Sequence, residues 1–325
     1  MSFAVVIPAF NDENTILDAV SSAVSQAELE EVIVVDDGST DQTASRASSA
    51  VGPVRCVFQA NAGPGAARNM GARSAAATHL IFLDADDELL DGALERFAAE
   101  HARGARLVRA GSASTGAGES VAITLPERSN FPFPRGTPLA GSFSVERDLF
   151  LECDGYDPSF RYGENSELLM RLTLTLDPCQ IRFIDEAAVH VRRRVGRAPT
   201  HYDLVRLAAV DRMLDVHSAE LLADPDTLRT HLLIASSLHR RAGRRREAIR
   251  YAVRAARVGR PSLRDVYRVG RAGLAPSEPV NMLLLAFVVT CCCLVGPRLG
   301  GLIQIRAGCW GGDGAPLGNR SGCCW

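Results

Sequence analysis

Two compact groups of carboxylates offer the chain its chemistry. Leu83-Asp84-Ala85-Asp86-Asp87 sets three acids within four residues, and Val35-Asp36-Asp37-Gly38-Ser39 sets two more side by side. Carboxylates this dense repel one another unless a cation or solvent relieves them. A Mg²⁺ or Mn²⁺ ion held by one or two of them, together with substrate phosphates, is the natural partner. Such an ion would neutralise charge on a departing diphosphate. The competing reading of Leu83–Asp87 is a turn with helix-capping aspartate.

The elements that must position these groups can be read from periodicity. Phe3–Ile7 is a short apolar run closed by Pro8, and Ile16, Leu17, Val20, Val24 and Ala27 recur at helical spacing. Val32–Val35 reads as a second strand, a short helix follows from about Asp41, and Val54–Phe58 reads as a third strand. Asn61-Ala62-Gly63-Pro64-Gly65 opens an Ala-rich helix to about Ala77, before a fourth strand at Leu80–Leu83. Strands that are continuously apolar and alternate with helices predict an α/β domain with a parallel sheet covered on both faces. Ligands of such sheets bind at the carboxyl ends of the strands. Asp36, Asp37, Asp84, Asp86 and Asp87 all fall at such ends.

Taken in order, these segments resemble the family-2 glycosyltransferases. The resemblance rests on Val6-Ile7-Pro8-Ala9-Phe10-Asn11, Val34-Val35-Asp36-Asp37-Gly38-Ser39-Thr40-Asp41, Asn61-x-Gly63-x-x-x-Ala67-Arg68-Asn69 and Asp84-x-Asp86. It covers roughly residues 3–194. It implies a glycosyltransferase-A fold, that is, a Rossmann-like, mostly parallel sheet flanked by helices, with a nucleotide over the first strand ends. It further implies that Asn11, Glu13 and Asp37 line the base and ribose pocket with Asp36 nearby, that Pro8 and Asp84 belong to the donor-binding set, and that Asp84 and Asp86 hold the metal. Arg68 resembles the family's arginine beside the nucleotide. A salt bridge from Arg68 to Asp36 or Asp37 is the alternative.

Farther along, Gly141-x-Phe143 and Cys153-Asp154-Gly155-Tyr156-Asp157-x-x-Phe160 resemble the family's acceptor-side segment. The family then has Gly-Glu-Asp, whose Asp is the general base, but this chain reads Gly163-Glu164-Asn165-Ser166-Glu167. An amide cannot take up a proton usefully. Glu164 is therefore the first candidate base and Glu167 the second, with orienting or Arg171-pairing roles as their bland alternatives. Asp185–Arg194 resembles the strand that closes the family's site, with His190 as a metal ligand and the following arginines on the diphosphate. The implied reaction is a single displacement with inversion, from a UDP-sugar, or a dTDP- or GDP-sugar, to a hydroxyl of a glycan, lipid-linked or small-molecule acceptor. A nucleotidyltransferase would show a Gly-rich loop with a basic residue at residues 8–14, and none is present. A catalytically silent scaffold protein would find its support in Asn165.

Composition sets the outer limits. With 46% hydrophobic and 23% charged residues, the 325-residue chain is expected to fold as a large domain plus a smaller part. All 36 basic residues are arginine, so no lysine can form a Schiff base or clamp phosphate. The nine cysteines form no CxxC pair, which argues against a zinc site. Residues 1–189 carry 28 acids against 14 arginines, whereas residues 190–275 carry 19 arginines against 8 acids. The basic half suits an anionic membrane surface or an anionic acceptor, or is simply a solvated helical face. Nucleic acid is not expected, because Arg244-Arg245-Arg246 has no interleaved aromatics and no recognition motif.

The expected division is a catalytic domain over 1–195, an Arg-rich helical region over 196–275, an apolar segment over 280–305 and a tail over 306–325. Residues 111–141 look irregular, and Leu232–Ala256 suggests a helical hairpin like one tetratricopeptide unit. His201, His217, His231 and His239 look like helix-surface residues. Val280–Gly296 carries no charge and sits at the short limit for a membrane span. The location expected is the cytoplasm, with attachment to the inner face of the membrane through 280–305. The N-terminal run lacks the basic flank of a signal peptide.

Overall fold

The computed structural model describes residues 1–115, 121–126, 128, 138–192 and 199–258. The first half alternates β1 (Phe3–Ala9), α1 (Ile16–Val24), β2 (Leu29–Asp36), α2 (Thr43–Ser48), β3 (Val54–Phe58), α3 (Pro64–Ser74) and β4 (His79–Phe82). Their strands are parallel, in the order β3-β2-β1-β4. Every residue of β1 is buried because the sheet has a core on each side. Val5, Ile7, Val32 and Val34 pack in the core that includes α1, while Ala4, Val6, Ile33 and Val35 pack in the core that includes α3. This two-sided burial is what made the strands read as unbroken apolar runs.

The first strand continues through Pro8 to Ala9 instead of stopping at the proline. Val6 O accepts Leu83 N at 3.0 Å, and the alternation of the strand turns Pro8 to that same side, beyond the end of β4. A residue without an N–H is tolerated where no ladder partner lies opposite.

The second half adds β5 (Glu88–Leu89), α4 (Ala93–His101), β6 (Leu107–Thr115), β7 (Val121–Thr124), β8 (Phe143–Glu146), α5 (Arg147–Glu152), α6 (Glu164–Thr175), a 3₁₀ turn at Pro178–Gln180 and β9 (Ile181–Val191). The sheet continues β4-β8-β6-β9-β5, with β8 antiparallel to both of its neighbours and β7 antiparallel on β6. Part of the stretch expected to be irregular is thus a strand pair. Its Gly-Ser composition follows from crowding, since a Cβ on Gly111 would lie 2.7 Å from Thr124 O and 3.1 Å from Glu186 O.

Over residues 199–258 the chain is helical: α7 (Pro199–Val216), α8 (Ser218–Ala223), α9 (Pro225–Arg241) and α10 (Arg245–Arg257). Asp224 caps α9 by accepting the N–H groups of Asp226 and Thr227. Gly243, at φ +75°, turns the chain so that α10 packs back on α9. Leu232, Ala235 and Leu238 of α9 are buried, as are Ala248, Ala252 and Ala255 of α10, and Ser236 Oγ donates to Ala248 O at 2.8 Å. His217 and His239 are buried and not on the helix surface as expected. Among the described residues no helix is long and apolar enough to cross a membrane. The 280–305 segment and the 306–325 tail lie outside the described residues.

One buried group ties the sheet's stability to pH. His101 is buried, with Nδ1 2.8 Å from Ala105 O and Nε2 2.8 Å from Ser144 Oγ, and burial pushes its pKa down to about 4. The unfolded chain takes up a proton near the ordinary histidine value while the folded chain resists it. This stability is therefore complete above about pH 6.5 and is lost as pH falls toward 4. Urea unfolding at pH 7 and pH 4.5 should show His101→Gln losing about 2 kcal/mol of the parent's pH dependence.

Candidate active site

The ends of β1 and β2 are laced together by the residues expected to face a nucleotide. Asn11 sits in the left-handed region at φ +56°, which asparagine tolerates. Its N–H donates to Ser39 Oγ at 3.1 Å and its Oδ1 accepts Thr40 N at 2.9 Å. Glu13 Oε2 accepts Gln42 N at 3.1 Å, and Asp36 Oδ1 accepts Ser39 N at 2.9 Å. Pro8 is buried beneath this rim. Asp37 is buried more completely, and both its oxygens are committed. Oδ1 accepts Gln59 Nε2 at 2.7 Å and Ala62 N at 2.8 Å, while Oδ2 accepts Gly63 N at 2.8 Å. Asp37 thus fixes the loop that enters α3.

That helix lies close to the sheet because a Cβ on Gly71 would come 2.3 Å from Val6 Cγ1. The same helix buries Arg68 to 2% exposure. Its partners are not Asp36 or Asp37. NH2 donates to Asp84 Oδ1 at 2.6 Å, NH1 donates to Glu164 Oε1 at 3.2 Å, and the guanidinium lies 5.1 Å over the Tyr156 ring. One cation therefore joins the end of β4 to the start of α6. Burial alone would lower the Arg68 pKa, but the charges of Asp84 and Glu164 hold it raised.

Asp84, Asp86 and Asp87 can each present a carboxylate oxygen within 4.8 Å of the others. Hard oxygen donors at this spacing fit Mg²⁺ or Mn²⁺. Asp87 is buried, and its Oδ1 accepts Arg192 N at 3.0 Å. His190 does not join this group. It pairs across the ladder with Glu88, and its Nε2 lies 2.8 Å from Thr115 Oγ1. Asp87 takes the third place expected of His190. Adjacency to Asp86 was the signal for it. Arg192, expected on a diphosphate, is engaged by Asp18 and Glu88. Arg193 and Arg194 lie outside the described residues.

On the opposite wall, Asn165 is buried and its Oδ1 accepts the Tyr156 hydroxyl at 2.8 Å. Tyr156 stays a donor because burial, reinforced by Glu164 and Asp84 against the Arg68 charge, raises its pKa. Asn69 grips the Tyr156 backbone from both sides, accepting its N–H and donating to its carbonyl at 2.8 Å each. Glu164 is a partly exposed carboxylate on this wall, its side chain 17% exposed. Glu167 is unsuited to the base role. Its oxygens accept Arg171 Nε at 2.6 Å, Arg171 NH2 at 2.6 Å and His217 Nε2 at 3.0 Å. Burial works to raise its pKa, but these hydrogen bonds leave it below the ordinary carboxylate value. Tyr156, Asn69 and His217 carry parts of the site that spacing alone did not assign.

A double-mutant cycle measures the central cation. Arg68→Met should cost about 3 kcal/mol of unfolding free energy, because it leaves two acids facing each other without their counter-charge. Adding Glu164→Gln should restore part of that loss, giving a non-additive cycle in urea unfolding.

Comparison with known proteins agrees with this geometry. Residues 4–147 match the family described as Glycosyl transferase family 2. Among curated relatives, the succinoglycan biosynthesis protein ExoU of Rhizobium meliloti (strain 1021) is 43% identical over 94 residues, 28% of this chain and 28% of its own length. An uncharacterized glycosyltransferase, YibD of Escherichia coli (strain K12), is 36% identical over 90 residues, 26% of each chain. The matched stretch is thus little more than a quarter of the length of either relative. Among solved structures, S. aureus TarS 1–349 in complex with UDP-GlcNAc superposes with a TM-score of 0.61 at 19% identity, covering 89% of this chain and 88% of that one. The fold is the glycosyltransferase-A fold, and residues 4–147, somewhat under half of the chain, carry the match to glycosyl transferase family 2.

Proposed function

We propose that the chain is an inverting glycosyltransferase of the hexosyltransferase type. It moves a sugar from a UDP-sugar to a hydroxyl acceptor during synthesis of a polysaccharide or cell-envelope glycan. The observation that carries this reading is the meeting of three groups around Arg68: the Asp84–Asp87 carboxylates, Glu164, and, through α3, the loop pinned by Asp37. The UDP-GlcNAc bound by the structural neighbour and the succinoglycan role of the curated relative support donor and product class.

In this reading Pro8, Asn11, Glu13, Asp36 and Asp37 shape the base and ribose end of the donor pocket. A carboxylate suits a uracil imide N–H because it only accepts. Mg²⁺ or Mn²⁺ held by Asp84, Asp86 and Asp87 would supply neutralising charge beside the leaving diphosphate. Glu164 takes the proton of the acceptor hydroxyl, and Arg68 holds that carboxylate in place. Asn165 supports the site through Tyr156 without exchanging a proton. An exposed arginine face on α10, made by Arg246, Arg250, Arg254 and Arg257, supports contact with an anionic membrane surface.

Calorimetric titration of the full chain with UDP, dTDP and GDP, with and without Mn²⁺, tests the donor site. UDP binding should require the metal and be lost in Asp86→Ala. In the presence of UDP-GlcNAc and Mn²⁺, release of UDP should fall by about 100-fold or more in Glu164→Gln, with UDP affinity kept within about twofold. Failure of every nucleotide to bind a folded chain would instead favour the silent scaffold reading.

A further inference from the structure

The segment that carries Glu164 is held from both sides. On the sheet side, Asn69 and Arg68 grip Tyr156. On the other side the helical region reaches it by four different kinds of contact. Asp157 lies 3.6 Å from Arg212 NH2 of α7. Phe160 is buried in an apolar cluster with Met213, Leu221, Leu228 and Leu232. The Arg206 guanidinium lies 5.1 Å over the Tyr162 ring. His217 Nε2 lies 3.0 Å from Glu167 Oε1, with both side chains buried.

These contacts bracket Glu164 in sequence, at residues 157, 160 and 162 before it and 167 after it. The first turn of α6 has no side-chain cap of its own, and Gly163 at its start adopts φ +71°. Local sequence therefore does little to fix where that helix begins. Tertiary contact has to do it, and the helical region provides that contact.

We propose that α7–α9 are the back wall of the acceptor half of the site and that His217 is a positioning residue for Glu164. It acts through Glu167, one helical turn along the same helix face. The proposal rests on the reading of Glu164 as the base. The helical region is then a working part of the acceptor half, while the donor rim at Asn11, Glu13 and Asp36 is laced by its own hydrogen bonds. The two halves should separate experimentally.

The test compares full-length parent, His217→Leu and His217→Gln, since a glutamine amide can still donate to Glu167. Three quantities are read: UDP affinity with Mn²⁺, UDP release from UDP-GlcNAc with water as acceptor, and hydrogen exchange of residues 157–167. In His217→Leu, UDP affinity should stay within about twofold while release falls about tenfold or more and exchange quickens in 157–167 but not in 3–36. His217→Gln should recover at least half the lost rate. Unchanged release, or affinity and rate falling together, would overturn the proposal. Should His217→Leu fail to fold, Arg212→Gln, at a half-exposed position, carries the same expectations and the same overturning results. If the parent itself neither binds UDP nor releases it, the sugar-transfer reading has failed. Exchange then decides the positioning role alone, and unchanged exchange at 157–167 refutes it.

Discussion

A buried guanidinium between two carboxylates from distant parts of the chain is the constraint on which this site depends. Arg68 has lost nearly all contact with water, and a charge so placed is tolerable only if opposite charge reaches it. Asp84 and Glu164 do so, and each is thereby drawn to a fixed place. The arrangement needs α3 to lie close on β1 and β2, which is why a glycine stands at residue 71, where any side chain would collide with Val6. It needs an aromatic floor, supplied by Tyr156, whose backbone Asn69 holds one residue along the helix from Arg68. Arg68 Nε has no hydrogen-bond partner among the described residues.

The two halves of the site are built on different principles. The donor rim is made of short polar links between adjacent loops, in which carboxylates and Asn11 accept backbone N–H groups. Such loops are defined by the parallel strands that end beneath them, where ligands of such sheets bind. The acceptor wall has no comparable support within the sheet. Its residues 157–167 leave the sheet and are enclosed by helices from later in the chain.

This difference explains what could be read from the sequence. Strands β1, β2 and β4 and the acids that follow them were legible, because two-sided burial writes continuous apolar runs and the acids stand at their ends. The β6–β7 pair was not, because close strand approach at Gly111 selects for small residues and suppresses the usual β signal. Glu167 looked like a spare base, since its spacing from Glu164 is right for a shared helix face. Only the positions of Arg171 and His217 show that both its oxygens are taken. His190 read as a ligand from the resemblance of residues 185–194 to the family's closing strand, but its Nε2 lies 2.8 Å from Thr115 Oγ1. Arg171 lies only four residues from Glu167, and their pairing was an alternative the sequence offered. The contacts of Glu167 with His217 and of His190 with Thr115 instead join residues far apart in the chain, which no local pattern encodes.

The amide at residue 165 fits the same electrostatic logic. Residue 165 is buried and adjoins Glu164, which already supplies one negative charge against Arg68. A carboxylate there would add a second buried charge, and Arg68 is already shared between two acids. The Tyr156 phenol, held protonated by burial and by the neighbouring acids, needs only an acceptor. Asn165 Oδ1 meets that need without adding charge. Asn165 thus leaves the wall satisfied, and in the proposed reading its ionisable function falls to Glu164. That carboxylate combines partial exposure with a fixed counter-charge at Arg68.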